Sequence, residues 1–132
     1  MKDLHLFSKG NIAEALGLEL ISVEEGVVKG KMPVDERTKQ PFGLLHGGAS
    51  VVLAETLGSI GSYNLVKDSS KAAVGIEVNA NHLRAAKSGW VYGEAKIVHQ
   101  GAKLHVWSIE IKNEKGKLVC TSRLTVMIVA NV

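Results

Sequence analysis

Residues Gln40 to Ser59 read QPFGLLHGGASVVLAETLGS and contain the most distinctive pattern in this chain. From Gly47 to about Val66, apolar and small residues recur at helical spacing. Glu55 is the only charged residue between Lys39 and Lys67. A helix with so little charge is expected to be enclosed on most of its sides. The stretch therefore predicts one long, largely buried helix around which the rest of the chain packs.

The segments on either side of this helix read as strands, apart from a short helix at residues 11–16. Two strands precede the long helix, and the second covers residues 27–34. Four more strand-like segments follow it: Ala73–Ala80, Trp90–Val98, Leu104–Lys112 and Leu118–Val129. About six mostly antiparallel strands and one buried helix must form two layers, most simply a sheet wrapped around the helix. The fold class is therefore α+β, with the strand order left open.

Length and composition limit the classes of protein that this chain can be. Its 132 residues and 14.1 kDa predict a single domain spanning residues 1–132. A net charge of +3 without a basic cluster argues against nucleic-acid binding. The lone Cys120 fits a reducing compartment and reads as a small buried thiol in a strand. No signal-peptide core and no 20-residue apolar stretch occur, so a cytoplasmic protein without a membrane segment is expected.

The start of the long helix has an unusual composition. Leu45-His46-Gly47-Gly48 offers no Ser, Thr, Asp or Asn as a cap, although the first turn carries N–H groups without helical partners. A glycine pair lets another group approach the backbone closely. Together with the positive end of the helix dipole, these N–H groups suit an oxygen that develops negative charge. The alternative is that Gly47 and Gly48 only allow a tight junction between loop and helix.

Glu55 is the second unusual feature of the helix. An isolated carboxylate costs several kcal/mol if it is buried without a partner, and burial makes it a stronger base. Ser59 follows on the same face at i+4 and could bond to the carboxylate or to a water molecule. The alternative is that Glu55 emerges at a solvated stripe or satisfies a buried donor.

The spacing of these two features predicts a dimer if both are catalytic. Gly47 and Glu55 are eight residues apart, which corresponds to about 12 Å along a helix axis. A glutamate side chain reaches only about 4–5 Å, and catalytic contacts need about 3 Å. One chain therefore cannot easily hold an acyl carbonyl on Gly47 and attack it with its own Glu55. Two antiparallel copies of the helix could do both, in two equivalent sites.

Other catalytic patterns are missing from the sequence. The five histidines have no compact metal-binding spacing, so no metal site is expected; they are His5, His46, His82, His99 and His105. Gly48-Ala49-Ser50-Val51-Val52 lacks the last glycine of a G-x-S-x-G nucleophile elbow. No phosphate-binding glycine motif is present either, and no cofactor is expected.

The segment Gln40–Ser59 resembles the hotdog-fold acyl-CoA thioesterases of the phenylacetate-pathway and 4-hydroxybenzoyl-CoA type. It is most similar to the subgroup that contains 1,4-dihydroxy-2-naphthoyl-CoA hydrolase and the enterobactin proofreading thioesterase. Further matches are Val74–His82 and Val106–Ile111, and the similarity extends from about Ala15 to Ile128. The resemblance implies a hotdog fold, in which a six-stranded sheet wraps around one long central helix.

The resemblance also implies catalytic roles for five residues. The Gly47 N–H would bind the thioester carbonyl, which Gln40 and His46 would position together with the thioester. Glu55 of a partner subunit would attack the acyl carbon as a nucleophile or activate water as a general base. Ser59 would orient the hydrolytic water or the intermediate. A thioester has a competent thiolate leaving group, so one carboxylate and an oxyanion donor can suffice.

The substrate-binding residues follow from the same resemblance. Contacts with coenzyme A, which is part of the substrate, are expected from His82, Leu83, Arg84, Gly101 and Lys103. Arg84 and Lys103 suit phosphates, and solvated surface charge is the alternative for both. Phe42 and Tyr63 are expected near the acyl pocket.

The resulting hypothesis is hydrolysis of an aromatic or related acyl-CoA to the acid and free CoA, with a role in menaquinone synthesis inferred from the subgroup. One alternative is the same reaction on an acyl group bound to a carrier protein. Another is a non-catalytic acyl-CoA-binding module. The family's homotetramer, a dimer of dimers, is expected as the assembly.

Overall fold

The computed structural model describes residues 9–130, and the predicted elements are all present. The elements are α1 (Ile12–Ala15), β1 (Glu19–Glu24), β2 (Val27–Pro33), α2 (Gly47–Val66), β3 (Lys71–His82), β4 (Trp90–Gln100), β5 (Leu104–Lys112) and β6 (Leu118–Ala130). The long helix has the predicted bounds. The third strand is longer than predicted, because two residues at each end extend its pairing with β6.

The six strands form one sheet in the order β1-β2-β4-β5-β6-β3, and every neighbouring pair is antiparallel. Helix α2 packs against all six strands, so the predicted sheet around one helix is confirmed. Strands β1 and β3 are the two edges of this sheet. Strand β3 crosses from the end of α2 to the far edge and joins β6 there.

Small residues on α2 bring the helix close to the sheet. A Cβ at Gly58 would lie 2.5 Å from a methyl group of Leu124, and a Cβ at Gly61 would collide with the indole ring of Trp107. Trp107 is fully buried and rigid, so it cannot give way cheaply. The two glycines thus set the distance between α2 and the strands below it.

A buried cluster of hydrogen-bonded side chains joins α2 to β5. The Trp107 Nε1–H donates to Ser62 Oγ at 2.8 Å, and Ser62 Oγ also lies 2.8 Å from His105 Nδ1. Burial, with a smaller effect of His99, lowers the pKa of His105. The predicted inward face of this strand is confirmed, since its alternate residues are all buried: His105, Trp107, Ile109 and Ile111.

Two further features are the environment of Cys120 and the character of the helices. Cys120 is fully buried in β6, as predicted, and burial raises the pKa of its thiol. Between residues 9 and 130, no helix has the length and apolar character needed to cross a membrane.

Candidate active site

The start of α2 is capped by the residue that precedes it. His46 Nδ1 accepts a hydrogen bond from the Gly48 N–H at 2.8 Å, and its backbone carbonyl accepts from Ala49 and Ser50. The expectation of an uncapped helix start was therefore wrong, because an imidazole nitrogen accepts the hydrogen bond that a Ser or Asp oxygen usually accepts. The bond also leaves the proton of a neutral His46 ring on Nε2.

This capping leaves the Gly47 N–H as the available donor of the first turn. No acceptor within residues 9–130 bonds to it. It lies at the positive end of a 20-residue helix, where a negatively charged oxygen is stabilised. The geometry therefore leaves one backbone donor at the position that the sequence predicted for an oxyanion.

Gln40 is fixed by the loop that leads into α2. Its Oε1 accepts from the N–H groups of Phe42 at 2.6 Å and Leu44 at 3.2 Å. With the oxygen used in this way, the side-chain NH2 group is the end that can donate to a ligand. Gln40 and Gly47 line the same cavity of about 410 Å3.

That cavity also contains the residues that follow β3. Its wall is formed by Gln40, Leu44, Leu45, Gly47, Ser50, His82, Leu83, Arg84, Ala85 and Val119. A Cβ on Gly47 would lie 2.8 Å from His82 Nε2, so a side chain at position 47 would require the exposed His82 ring to move. Arg84 is exposed at the mouth. An acyl carbonyl on Gly47 would thus lie close to a cation suited to phosphate.

Glu55 lies in a different cavity, of about 400 Å3. Its half-buried side chain reaches toward β3, with Oε2 2.7 Å from the point where a Cβ on Gly75 would stand. Ser59 and Thr56 line the same cavity. Ser59 does not bond to the carboxylate directly, so the open possibility from the sequence is that the two share a water molecule.

The two sets of predicted catalytic residues therefore do not meet within one chain. Gln40 and Gly47 line one cavity, and Glu55 and Ser59 line another. His46 lines a third, of about 260 Å3, which shares Val52 with the cavity of Glu55. Within one chain, these groups therefore do not line a common cavity.

The predicted coenzyme A contacts are also separated. The backbone carbonyl of Lys103 accepts a hydrogen bond from the Ile128 N–H at 2.8 Å. Ile128 pairs with Ala73 near the start of β3. His82 ends the same strand nine residues later, about 30 Å away at the usual rise of a strand. Gly101 and Lys103 therefore lie at the opposite end of β3 from His82, Leu83 and Arg84.

The two residues expected near the acyl group lie outside these cavities. Phe42 is 86% exposed at the tip of its loop, and Tyr63 is half-buried on α2. Neither lines the cavities of Gln40 or Glu55, so their role stays a prediction.

Sequence reasoning missed the wall that α1 contributes to the Glu55 cavity. Asn11, which precedes α1, and Ile12 and Ala13 of α1 line this cavity together with residues of α2. Asn11 is recognisable in the sequence as a helix cap, and it does cap α1 through Ala13 and Glu14. Nothing in the local pattern indicates that α1 packs beside Glu55. Within the described part of the chain, no three His, Cys, Asp or Glu residues are grouped as metal ligands.

Comparison with known proteins gives this architecture a class. Residues 42–120 match the family model of the Thioesterase superfamily. The chain is 48% identical to the 1,4-dihydroxy-2-naphthoyl-CoA hydrolase of Escherichia coli over 128 residues, which cover 97% of this chain and 93% of that protein. It is 44% identical to the proofreading thioesterase EntH of Cronobacter turicensis, with 95% and 90% covered.

The fold agrees with a solved structure of the same class. Mutant thioesterase PA1618 of Pseudomonas aeruginosa superposes with a TM-score of 0.93 at 46% identity, covering 98% of this chain and 93% of that one. The chain therefore belongs to the thioesterase superfamily and has the hotdog fold. It is an enzyme of the acyl-CoA thioesterase class.

The capping bond of His46 leads to a stability prediction. Replacing His46 with Ala leaves the Gly48 N–H without its partner, which lowers the free energy of unfolding by about 1 kcal/mol. His46→Asp supplies another acceptor and stays within about 0.5 kcal/mol of the wild type. Urea unfolding of the three proteins measures the difference. Equal stability of the Ala and Asp variants would contradict the capping role.

Proposed function

We propose that this thioesterase hydrolyses an aromatic acyl-CoA in an active site shared by two copies of the chain. Gln40 and Gly47 of one copy hold the thioester carbonyl, and Glu55 of the other attacks the acyl carbon or activates water. The observation that carries the proposal is the separation of these groups within one chain, in different cavities and about 12 Å apart along α2.

The chemistry follows from the groups on each side. The Gly47 N–H and the Gln40 amide donate to the oxygen that becomes negative when the acyl carbon is attacked. Ser59, one turn beyond Glu55, orients the hydrolytic water or the intermediate. His46 carries its ring proton on Nε2 and positions the thioester. The thiolate of CoA leaves without a metal ion or other cofactor.

The edge strand β3 supports a specific pairing of the two copies. Among residues 9–130, no strand pairs with the outer backbone edge of β3, which makes this edge a template for a second strand. Glu55 reaches β3 at Gly75, and Gly47 contacts it at His82. A two-fold axis half-way between these positions, beside Val78 and Asn79, places Glu55 of one copy opposite Gly47 of the other.

The same axis brings the separated coenzyme A contacts together. Lys103 lies at the Gly75 end of β3, and Arg84 follows its His82 end. In an antiparallel pair, Lys103 of one copy is on the same side as Arg84 of the other. One register therefore brings together both the proposed catalytic groups and the proposed coenzyme A contacts. Both cations then suit the phosphates of one nucleotide, and His82, Leu83 and Gly101 are its other proposed contacts.

The substrate class follows from the relatives. A relative 48% identical is named 1,4-dihydroxy-2-naphthoyl-CoA hydrolase, and we extend an aromatic acyl group to this chain. Phe42 and Tyr63 then face the acyl group from the shared interface. A role in menaquinone synthesis, a cytoplasmic location and a homotetramer built from two such dimers complete the proposal. Measuring the turnover of the same acyl group on CoA and on holo carrier protein shows which of the two thioesters is the better substrate.

Replacing Glu55 tests the assigned chemistry. On benzoyl-CoA and 1,4-dihydroxy-2-naphthoyl-CoA, Glu55→Ala and Glu55→Gln are expected to lower kcat by about 10²–10³-fold, because neither can attack or accept a proton. Release of free CoA measures the rate. Glu24→Gln removes an exposed carboxylate from β1 and serves as the control with wild-type activity. Hydrolysis by Glu55→Ala at the wild-type rate would refute the mechanism.

Cysteine cross-linking tests the register of the two edges. Asn79→Cys places a thiol beside the proposed two-fold axis on the exposed face of β3, so a short bifunctional thiol reagent joins two chains. Lys71→Cys lies on the same strand eight residues, about 26 Å, from the axis and stays unlinked. Cys120 is buried in both variants. Gel electrophoresis of the products reads the outcome, and linkage through Lys71→Cys alone would contradict this register.

A further inference from the structure

Glu55 occupies space that a side chain at position 75 would fill. A Cβ on Gly75 would stand 2.7 Å from Glu55 Oε2, which is closer than real Cβ contacts come. The next nearest atoms, Glu55 Cδ and a methyl group of Leu124, would be 3.8 Å away, at ordinary contact distance. The carboxylate oxygen is thus the one atom in conflict with a side chain there.

The backbone conformation does not explain the glycine. Six described glycines have a positive φ, and Gly75 is not among them. It pairs with Val126 in a regular ladder position, and a bulge at Ile76 follows before the ladder resumes at Glu77. An alanine could adopt this backbone, so the remaining function of Gly75 is to leave room.

The contact with Gly75 also determines where the Glu55 carboxylate lies. Within residues 9–130, no hydrogen bond or ion pair holds the Glu55 carboxylate. A side chain without a polar partner is placed by packing, and here Glu55 packs on the bare backbone of β3. The adjacent bulge bends the strand at this point, as bulges beside active sites commonly do.

We propose that Gly75 is a positioning residue, whose missing side chain forms the seat that aims the Glu55 carboxylate at the acyl carbon. The inference rests on the proposed role of Glu55. It assigns a function in the reaction to a residue on the edge strand that does not itself touch the substrate.

Gly75→Ala tests the seat directly. The new methyl group displaces the carboxylate, and a displacement of about 1 Å can cost about 10²-fold in rate, so kcat falls by that amount while KM changes less than about 2-fold. A steric control is Gly93→Ala on β4, where a Cβ would meet Leu57 at 2.8 Å and Leu53 at 3.3 Å and no carboxylate is involved. Its kcat stays near the wild-type value.

Shortening the carboxylate distinguishes aiming from general damage to the strand. Glu55→Asp in the wild type retracts the carboxylate and lowers kcat. In Gly75→Ala the same change relieves the overlap, so the double variant is at least as active as Gly75→Ala alone. The proposal is overturned if the loss of kcat in the double variant equals the product of the losses in the two single variants. It is also overturned if the kcat of Gly75→Ala is within 2-fold of wild type.

Stability supplies a second readout that does not depend on catalysis. Gly75→Ala lowers Tm by several degrees, and Glu55→Ala in the same chain restores it. If Gly75→Ala does not fold, Glu55→Ala/Gly75→Ala must still fold. Its failure would overturn the proposal. An active Glu55→Ala enzyme would instead refute the catalytic role of Glu55 and leave the steric coupling measurable.

Discussion

The rise of an α-helix is the constraint on which the whole active site depends. Eight residues of α2 separate Gly47 from Glu55 by about 12 Å, and no rotamer of a glutamate covers that distance. The oxyanion donor is fixed at the start of the helix, because only there does the backbone leave an N–H group unbonded. The carboxylate is fixed two turns later. In the proposed site, a second copy of this helix supplies the carboxylate.

The sheet makes such a pairing geometrically simple. Gly58 and Gly61 let α2 pack tightly on Trp107 and Leu124, which keeps the helix close to the sheet along its length. The strand order then puts β3 at an edge, and Glu55 rests on that edge at Gly75. A long strand with one unpaired side is a liability unless another chain covers it. The proposed dimer uses this edge to complete the active site.

Local patterns predicted much of this structure. The bounds of α2 and the inward face of β5 follow from periodicity, and both are as predicted. Glu55 was recognisable because a lone charge on an apolar helix is costly. The acceptor at the start of α2 was not foreseen, because His46 does not belong to the residue types that usually cap helices.

Long-range packing accounts for what the sequence could not reveal. The contact of Gly75 with Glu55, 20 positions away, depends on the strand order, which spacing alone leaves open. For the same reason, Lys103 and Arg84 looked like neighbours around one nucleotide, although β3 separates them within a chain. The place of α1 beside Glu55 also depends on tertiary contacts rather than on its own residues.

Mixed dimers test the shared site most directly. Glu55→Ala and Gln40→Ala each damage both sites of their own dimers, but a mixed dimer has one site with an intact Glu55 and an intact Gln40. Random co-assembly of equal amounts therefore restores about a quarter of the wild-type turnover of acyl-CoA. Co-assembly of Glu55→Ala with Glu55→Gln restores nothing and is the control. Activity of the first mixture no higher than the average of its two parents would contradict a site built from two chains.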